Sequence, residues 1–129
     1  MRIQLAYRFT GEDEQELLNQ LNNIKIILEK NDHETYIPVL DPNRPKNKRE
    51  LFLNTIKKLD SAEAILAIIK SEEKSEGMLM EIGYAWGRNK KLIIAINKNI
   101  KNTHLREFAN VLIEFSDIND LYKQLEKLK

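Results

Sequence analysis

The sequence predicts an α/β protein built on a five-stranded parallel sheet, with residues 1–129 forming a single domain. Three observations carry this. Segments with strand-like and helix-like apolar periods alternate along the chain. Two strand segments, Ala64–Ile69 and Lys91–Ile96, are almost continuously apolar, as expected of strands covered on both faces. A chain of 129 residues suffices for one core of normal size and not for two.

Each element has its own signal. Ile3, Leu5 and Tyr7 alternate with Gln4, Ala6 and Arg8, which reads as a half-buried first strand. Thr10-Gly11 ends it, and Glu12, Asp13 and Glu14 supply the acidic first turn of a helix. Leu17, Leu21, Ile24 and Leu28 recur at helical spacing to Lys30, and Asn31-Asp32 turns the chain. Thr35–Leu40 reads as a second strand whose Pro38 marks an end or an edge. Asp41–Lys48, with its two prolines, is a loop. Glu50–Leu59 is a short helix with Leu51, Thr55 and Leu59 on one face. After the third strand, Ala64–Ile69, come a charged loop (Ser71–Ser75), a helix (Met78–Arg88) and the fourth strand, Lys91–Ile96. Leu105–Ala109 is a helical turn and Val111–Phe115 a fifth strand. Ser116 or Asp117 caps a last helix that turns Ile118, Leu121, Tyr122, Leu125 and Leu128 inward. There is no repeat, linker or low-complexity tract. The order of elements gives a flavodoxin/Rossmann-like three-layer sandwich with helices on both faces of the sheet.

Composition narrows the chemistry. With 21 Lys+Arg against 20 Asp+Glu the formal charge is +1, which argues against a dedicated nucleic-acid binder. The basic stretch Arg44–Arg49 reads as a solvated loop or a lid over a pocket. The absence of cysteine excludes disulfides, thiolate metal sites and thiol nucleophiles. His33 and His104, far apart in sequence, read as surface or boundary residues, and no metal site is expected. No apolar run approaches the roughly 18 residues of a membrane span, and Met1–Leu5 lacks the apolar stretch of a signal peptide. The expectation is a soluble cytoplasmic protein that contacts no membrane.

Ligands of open parallel sheets bind at the carboxyl ends of the strands, beside the switch in strand order. Among the loops there, no Gly-x-Gly-x-x-Gly follows the first strand and no Gly-x-x-x-x-Gly-Lys-Ser/Thr exists, so no nucleotide cofactor is implied. The segment after the third strand is richer. Three of the chain's four glycines fall between Gly77 and Gly87. Ser75 can cap the helix, Gly77 lets a ligand approach the backbone, and free N–H groups at a helix start favour an anion. Glu81, about four residues into the helix, lies about 6 Å along its axis, close to the span from a 5′-phosphate to an anomeric carbon. Gly83 and Gly87, at about 1 kcal/mol each in a helix interior, call for a face pressed on the sheet or on another chain. Spacing alone leaves two readings of Glu81, a site carboxylate or a partner of a nearby lysine on a wet face. Its neighbours Met80 and Tyr84 suit the first better.

The run Ser75-x-Gly77-Met78-x-x-Glu81-x-Gly83-Tyr84-Ala85, followed by Lys90-Lys91 and an apolar strand, resembles the nucleoside 2-deoxyribosyltransferase superfamily, which includes deoxynucleoside 5′-monophosphate N-glycosidases. Tyr7, the Leu59–Glu63 approach to the third strand and the terminal strand–helix unit extend the likeness over most of the chain. The resemblance implies cleavage or transfer at the N-glycosidic bond of a (deoxy)nucleoside or its 5′-monophosphate. Glu81 would form a glycosyl-enzyme intermediate, by the logic of retaining glycosidases. The helix N-terminus would keep Glu81 ionised and Tyr7 would hydrogen-bond and orient it. Ser75, Arg8, Thr10 and Gly11 would hold the 5′ end of the sugar, with Gly77 and Met80 beside it. Arg8 suits a phosphate, and equally suits solvent.

The chain departs from the family pattern where an aspartate should serve the leaving base: that position falls on Thr55, with Asn54 beside it. Asp41, Glu12 and Asp13 are the candidate replacements. The loss leaves a second reading open, a non-catalytic nucleotide sensor that kept the pocket. A phospho-receiver module is disfavoured because the third strand runs into Lys70-Ser71-Glu72 without a phosphorylatable aspartate. Family members commonly share sites between subunits, and Gly83, Trp86 and Gly87 suit a helix–helix interface, so a homodimer or larger homo-oligomer is expected.

Overall fold

The computed structural model describes residues 1–129. In chain order the elements are β1 (Arg2–Tyr7), α1 (Glu14–Lys30), β2 (Glu34–Tyr36), α2 (Lys48–Ser61), β3 (Ala64–Ile69), α3 (Glu76–Gly87), β4 (Lys91–Asn97), β5 (Val111–Phe115) and α4 (Ile118–Leu125). Short 3-10 turns cover Pro38–Leu40 and Leu105–Phe108. All four strand pairings are parallel, in the order β2-β1-β3-β4-β5. This is the flavodoxin-like order, and its direction switches between β1 and β3.

Period-2 alternation divides the buried side chains between two layers. Ile3, Leu5, Leu66, Ile93 and Ile113 join α1 and α4 on one face. Ala6, Ile65, Ala67, Leu92 and Ile94 meet α2 and α3 on the other. The helices begin where side-chain oxygens accept free N–H groups: Asp13 from Glu16, Asn47 from Glu50, Ser75 from Met78 and Asp117 from Asp120. Of the two possible caps for the last helix, Asp117 is the one used. α2 and α3 each start two residues before the periodicity suggests, because their first turns are polar.

Four expectations are corrected. β1 is not half-buried: Gln4 and Ala6 are as enclosed as Ile3 and Leu5, since helices cover both of its faces, α1 and α4 on one and α2 and α3 on the other. Gln4 tolerates this by donating from Nε2 to the Thr55 carbonyl at 2.9 Å, which ties β1 to α2. The second strand stops at Tyr36, because Pro38 has no N–H for a ladder and opens a 3-10 turn instead. His33 is no surface residue but is buried, with Nδ1 3.0 Å from the Met1 nitrogen and Nε2 3.1 Å from the Leu128 carbonyl. His104 is exposed, as expected. Gly83 and Gly87 do not press on the sheet: both are exposed, and a Cβ at either would meet nothing within 4 Å.

Leu66, fully buried at the centre of β3, should cost about 3 kcal/mol when cut to alanine, through lost transfer energy and the cavity left behind. Leu53→Ala, on the outer side of α2 where the side chain is half exposed, should cost no more than about 0.5 kcal/mol. Urea unfolding with equal slopes and separate midpoints checks both.

Candidate active site

The β1/β3 switch brings three segments to one edge of the sheet: the β1 end with Tyr7 and Arg8, the Lys70–Ser75 stretch leading into α3, and the Pro38–Asn47 segment after β2. α3 packs against β1, β3 and β4, and Glu81 lies on it six residues past the Ser75 cap, about 9 Å along the axis. This is two residues, about 3 Å, deeper than the shorter helix read from sequence.

Glu81 is mostly buried, and its Oε2 is sealed from solvent with no hydrogen-bond partner. Desolvation with no compensating donor pushes its carboxyl up to about 7. The expectation that the helix N-terminus keeps it ionised is therefore corrected; at six residues the dipole has faded and burial dominates. No wet-face lysine pairs with it. Met80 does not enclose it either, since its side chain is 59% exposed on the outer face of α3. Tyr7 is close enough for the Glu81 charge to raise its pKa further, though burial is the main cause and places it above the normal range for tyrosine. The expected Tyr7–Glu81 hydrogen bond is absent: the Tyr7 hydroxyl accepts from the Val39 N–H at 2.9 Å.

At the end of β1, Arg8 is engaged. Its Nη2 forms an ion pair with Glu73, and Lys70 pairs with Glu12 at 2.9 Å while donating to Gln20. These two pairs, Ile68, Ile69, Ser71 and Met78 line a narrow crevice. Gly11 adopts φ +84°, and a Cβ there would stand 2.6 Å from the Arg8 guanidinium, so only glycine lets the loop close over that side chain. Thr10 is exposed in the same turn. Ser75 caps α3 through Met78 N–H at 3.2 Å, and Gly77 is exposed in the first helical turn.

On the third side is an open cavity of about 310 Å³ lined by Val39, Leu40, Asp41, Pro42, Arg44 and Lys46. Asp41 accepts from the Tyr36 hydroxyl at 2.8 Å and from Asn43 N–H at 2.9 Å. The Tyr36 hydroxyl accepts in turn from Asn54 at 3.2 Å. The Tyr36 hydrogen bond, then that of Asn43, holds the Asp41 carboxyl below its ordinary value, whereas burial and Asp41 push Tyr36 up to about 12. Each of the three proposed replacement acids is thus already engaged. Asp41 is held ionised, Glu12 is tied to Lys70, and Asp13 caps α1. Thr55 is buried and donates to the Leu51 carbonyl. No group of three or more His, Cys, Asp or Glu side chains converges on a metal position.

Sequence reasoning passed over Tyr36, Val39, Lys70 and Glu73, and took Arg44 only as part of a solvated loop or a lid over a pocket. Pro38 was the available signal for the first two, since a strand broken there leaves Tyr36 and Val39 at the sheet's edge.

Residues 6–114 match the family model described as Nucleoside 2-deoxyribosyltransferase. No curated protein matches the sequence. Among solved structures the chain is similar to the CMP N-glycosidase of Clostridium botulinum, with 18% identity, 98% of each chain covered and a TM-score of 0.69. It is similar to a 2-deoxyribosyltransferase of Bacillus psychrosaccharolyticus, with 18% identity, 100% of this chain and 93% of that one covered and a TM-score of 0.72. It is also similar to a 2-deoxyribosyltransferase of Leishmania mexicana, with 17% identity, 99% of each chain covered and a TM-score of 0.70. These are likenesses of fold. The match of the family model over most of the chain is what establishes that it belongs to the nucleoside 2-deoxyribosyltransferase family of enzymes.

Proposed function

We propose that the chain cleaves or transfers at the N-glycosidic bond of a (deoxy)nucleoside or its 5′-monophosphate, with the Glu81 carboxylate as nucleophile. The buried, unpartnered Oε2 of Glu81 beside Tyr7 is the observation that carries this reading. A Glu81 oxygen attacks C1′, and the C1′–N bond breaks with its electron pair leaving on the base nitrogen. Water or a second base then attacks C1′ and releases the carboxylate. A carboxylate stripped of water attracts the positive charge developing on the sugar more strongly than a hydrated one. Tyr7, held by Val39, keeps a hydroxyl proton with which to orient that carboxylate as the pocket fills. The sugar's 5′ end lies toward Arg8, Thr10, Gly11, Ser75 and Gly77. A 5′-phosphate there would take Arg8 from Glu73, whose side chain is 73% exposed and free to swing away. Met80, turned outward, belongs to the surface rather than the pocket. Residues 1–129 act as one unit in the cytoplasm; no helix is long and apolar enough to cross a membrane.

A nucleotide-binding domain without turnover is the second reading, favoured by the sealed Thr55 and the ionised Asp41. The two part in one experiment. A panel of ribo- and deoxynucleosides and their 5′-monophosphates should yield free base with the native protein and none with Glu81→Ala. Nucleotides that raise the melting temperature of a native protein inert on the whole panel would select the second reading.

The raised Glu81 carboxyl has a stability consequence. Below its ordinary value of 4.5 the group is protonated folded and unfolded; between 4.5 and about 7 only the folded chain keeps the proton, so stability falls as pH rises through that window. Glu81→Gln should match the native protein near pH 4 and exceed it at pH 8, by at most about 3 kcal/mol. Paired thermal melts at the two pH values check this. The ionised nucleophile also requires kcat/KM to rise with pH through the same region.

We infer further that the chain forms a homodimer or larger homo-oligomer through the outer face of α3. Gly83 and Gly87 have no neighbour within the chain to explain them. They lie on the helix that also exposes Met80 and Trp86, the latter edge-on to exposed Phe108 at 5.8 Å. Sedimentation at micromolar concentration should give at least a dimer, and Trp86→Lys should shift it to monomer.

A further inference from the structure

We propose that Asp41 reads the departing base, its carboxylate accepting from an amino group, so that the site takes amino-bearing nucleobases in preference to those carrying only carbonyls and ring N–H groups. This deepens the glycosidic-bond reading and rests on it. The cavity of about 310 Å³ after β2 is of the size that holds a small ligand, and Asp41 is the only carboxylate among the residues lining it. It adjoins the Glu81 side of the site through Tyr7, whose hydroxyl is fixed to the cavity residue Val39 and whose ionisation feels the Glu81 charge. In this proposal the base of a sugar presented to Glu81 lies on the side of this wall, the one that Tyr7 links to Glu81.

The carboxylate is positioned in advance. Oδ2 accepts from Tyr36 and Oδ1 from Asn43 N–H, each using one of the two acceptor positions an oxygen offers and leaving one apiece for a ligand. Tyr36 is itself located by Asn54 and by Lys58, whose ammonium stands 5.3 Å above its ring. Arg44 Nη1 donates to the Val39 carbonyl at 2.6 Å and Arg44 N–H to the Asp41 carbonyl at 3.3 Å, closing residues 39–44 into a braced rim. The remaining acceptor positions need a donor, and an ionised carboxylate can supply none.

Base chemistry then decides. In uracil the N3–H lies between two carbonyl oxygens, and in hypoxanthine the N1–H lies beside one, so a carboxylate brought to either meets repelling oxygen. The amino groups of cytosine and adenine project an N–H with no oxygen next to it. Arg44 and Lys46, on the same wall, offer donors to the ring nitrogen or carbonyl that accompanies the amino group. A charge-assisted hydrogen bond of this kind corresponds to at least about a tenfold preference.

The test compares kcat/KM for base release from the cytidine and uridine forms, and from the adenosine and inosine forms, as nucleosides and as 5′-monophosphates. The native protein should favour the amino-bearing member of each pair at least about tenfold, and Asp41→Asn, which keeps the volume, should bring the ratio close to one. Tyr36→Phe, which frees the carboxylate to rotate, should lower the ratio without removing it. Equal kcat/KM for both members in the native protein, or a ratio unchanged in Asp41→Asn, overturns the proposal. Release of no base from any substrate defeats the glycosidic-bond reading alone, and free-base binding then decides for Asp41. Cytosine and adenine raising the melting temperature of the native protein but not of Asp41→Asn uphold it, and cytosine and uracil acting alike overturn it.

Discussion

Burial of β3 on both faces is the constraint from which the site follows. All six side chains of Ala64–Ile69 are enclosed, so β3 must lie inside the sheet with helices above and below it. Parallel neighbours on both sides then require crossover connections, which in such sheets are right-handed. The chain passes from β1 out to β2 and back across to β3, and the two departures leave a gap at the carboxyl ends of β1 and β3. Tyr7, Arg8, Lys70 and the start of α3 meet in that gap because the apolar run of β3 leaves them nowhere else to go.

Charge at this edge is arranged with unusual asymmetry. On the β1 side each cation has an internal carboxylate, Arg8 with Glu73 and Lys70 with Glu12, so the crevice is electrically balanced before any ligand arrives. On the β2 side Asp41 is satisfied by neutral donors and stays ionised. Between them Glu81 has neither cation nor donor. In the proposed reaction the three carboxylate environments separate three capacities: exchangeable counter-ion, fixed acceptor and reactive group. The same side-chain chemistry serves all three because hydrogen bonding and solvent access, not residue type, set each one.

How much of this was legible depends on the range over which each residue's surroundings are determined. Ala64–Ile69 and Lys91–Ile96 announced buried strands because burial on two faces removes polar residues from the run itself. The Ser75 and Asp117 caps were legible because a cap bonds three residues ahead. Gln4 was misread because its burial depends on a carbonyl 51 residues away, and Arg8 because Glu73 is 65 residues distant. Tyr36 and Asp41 are only five apart, but assigning 35–40 to one strand would hold them well apart along it; the 3-10 turn at Pro38 folds them together. Glu81 stood out by its position in the signature motif. Its protonation could not, since that follows from the absence of any partner, which is a property of the assembled pocket.

A threonine at position 55, where the family resemblance implies an aspartate, changes where the proposed reaction obtains its driving force. With an acid beside the leaving base, bond breaking is helped at both ends of the C1′–N bond. Here the helix position is occupied by a threonine that spends its hydroxyl on the Leu51 carbonyl, and Asp41, the one carboxylate lining the cavity after β2, is held in its ionised form. Protonation of the departing nitrogen then falls to solvent entering through the open cavity, and stabilisation of the sugar cation falls to Glu81. A carboxylate whose proton affinity is raised by burial suits that task, because the desolvation that favours a proton in the empty pocket equally favours a cationic carbon in the occupied one. The price is paid at the acid end of the pH range, where Glu81 holds its proton and cannot attack. In the proposed reaction, nucleophile and environment are therefore matched to each other, and a threonine at position 55 makes that match more consequential for the rate.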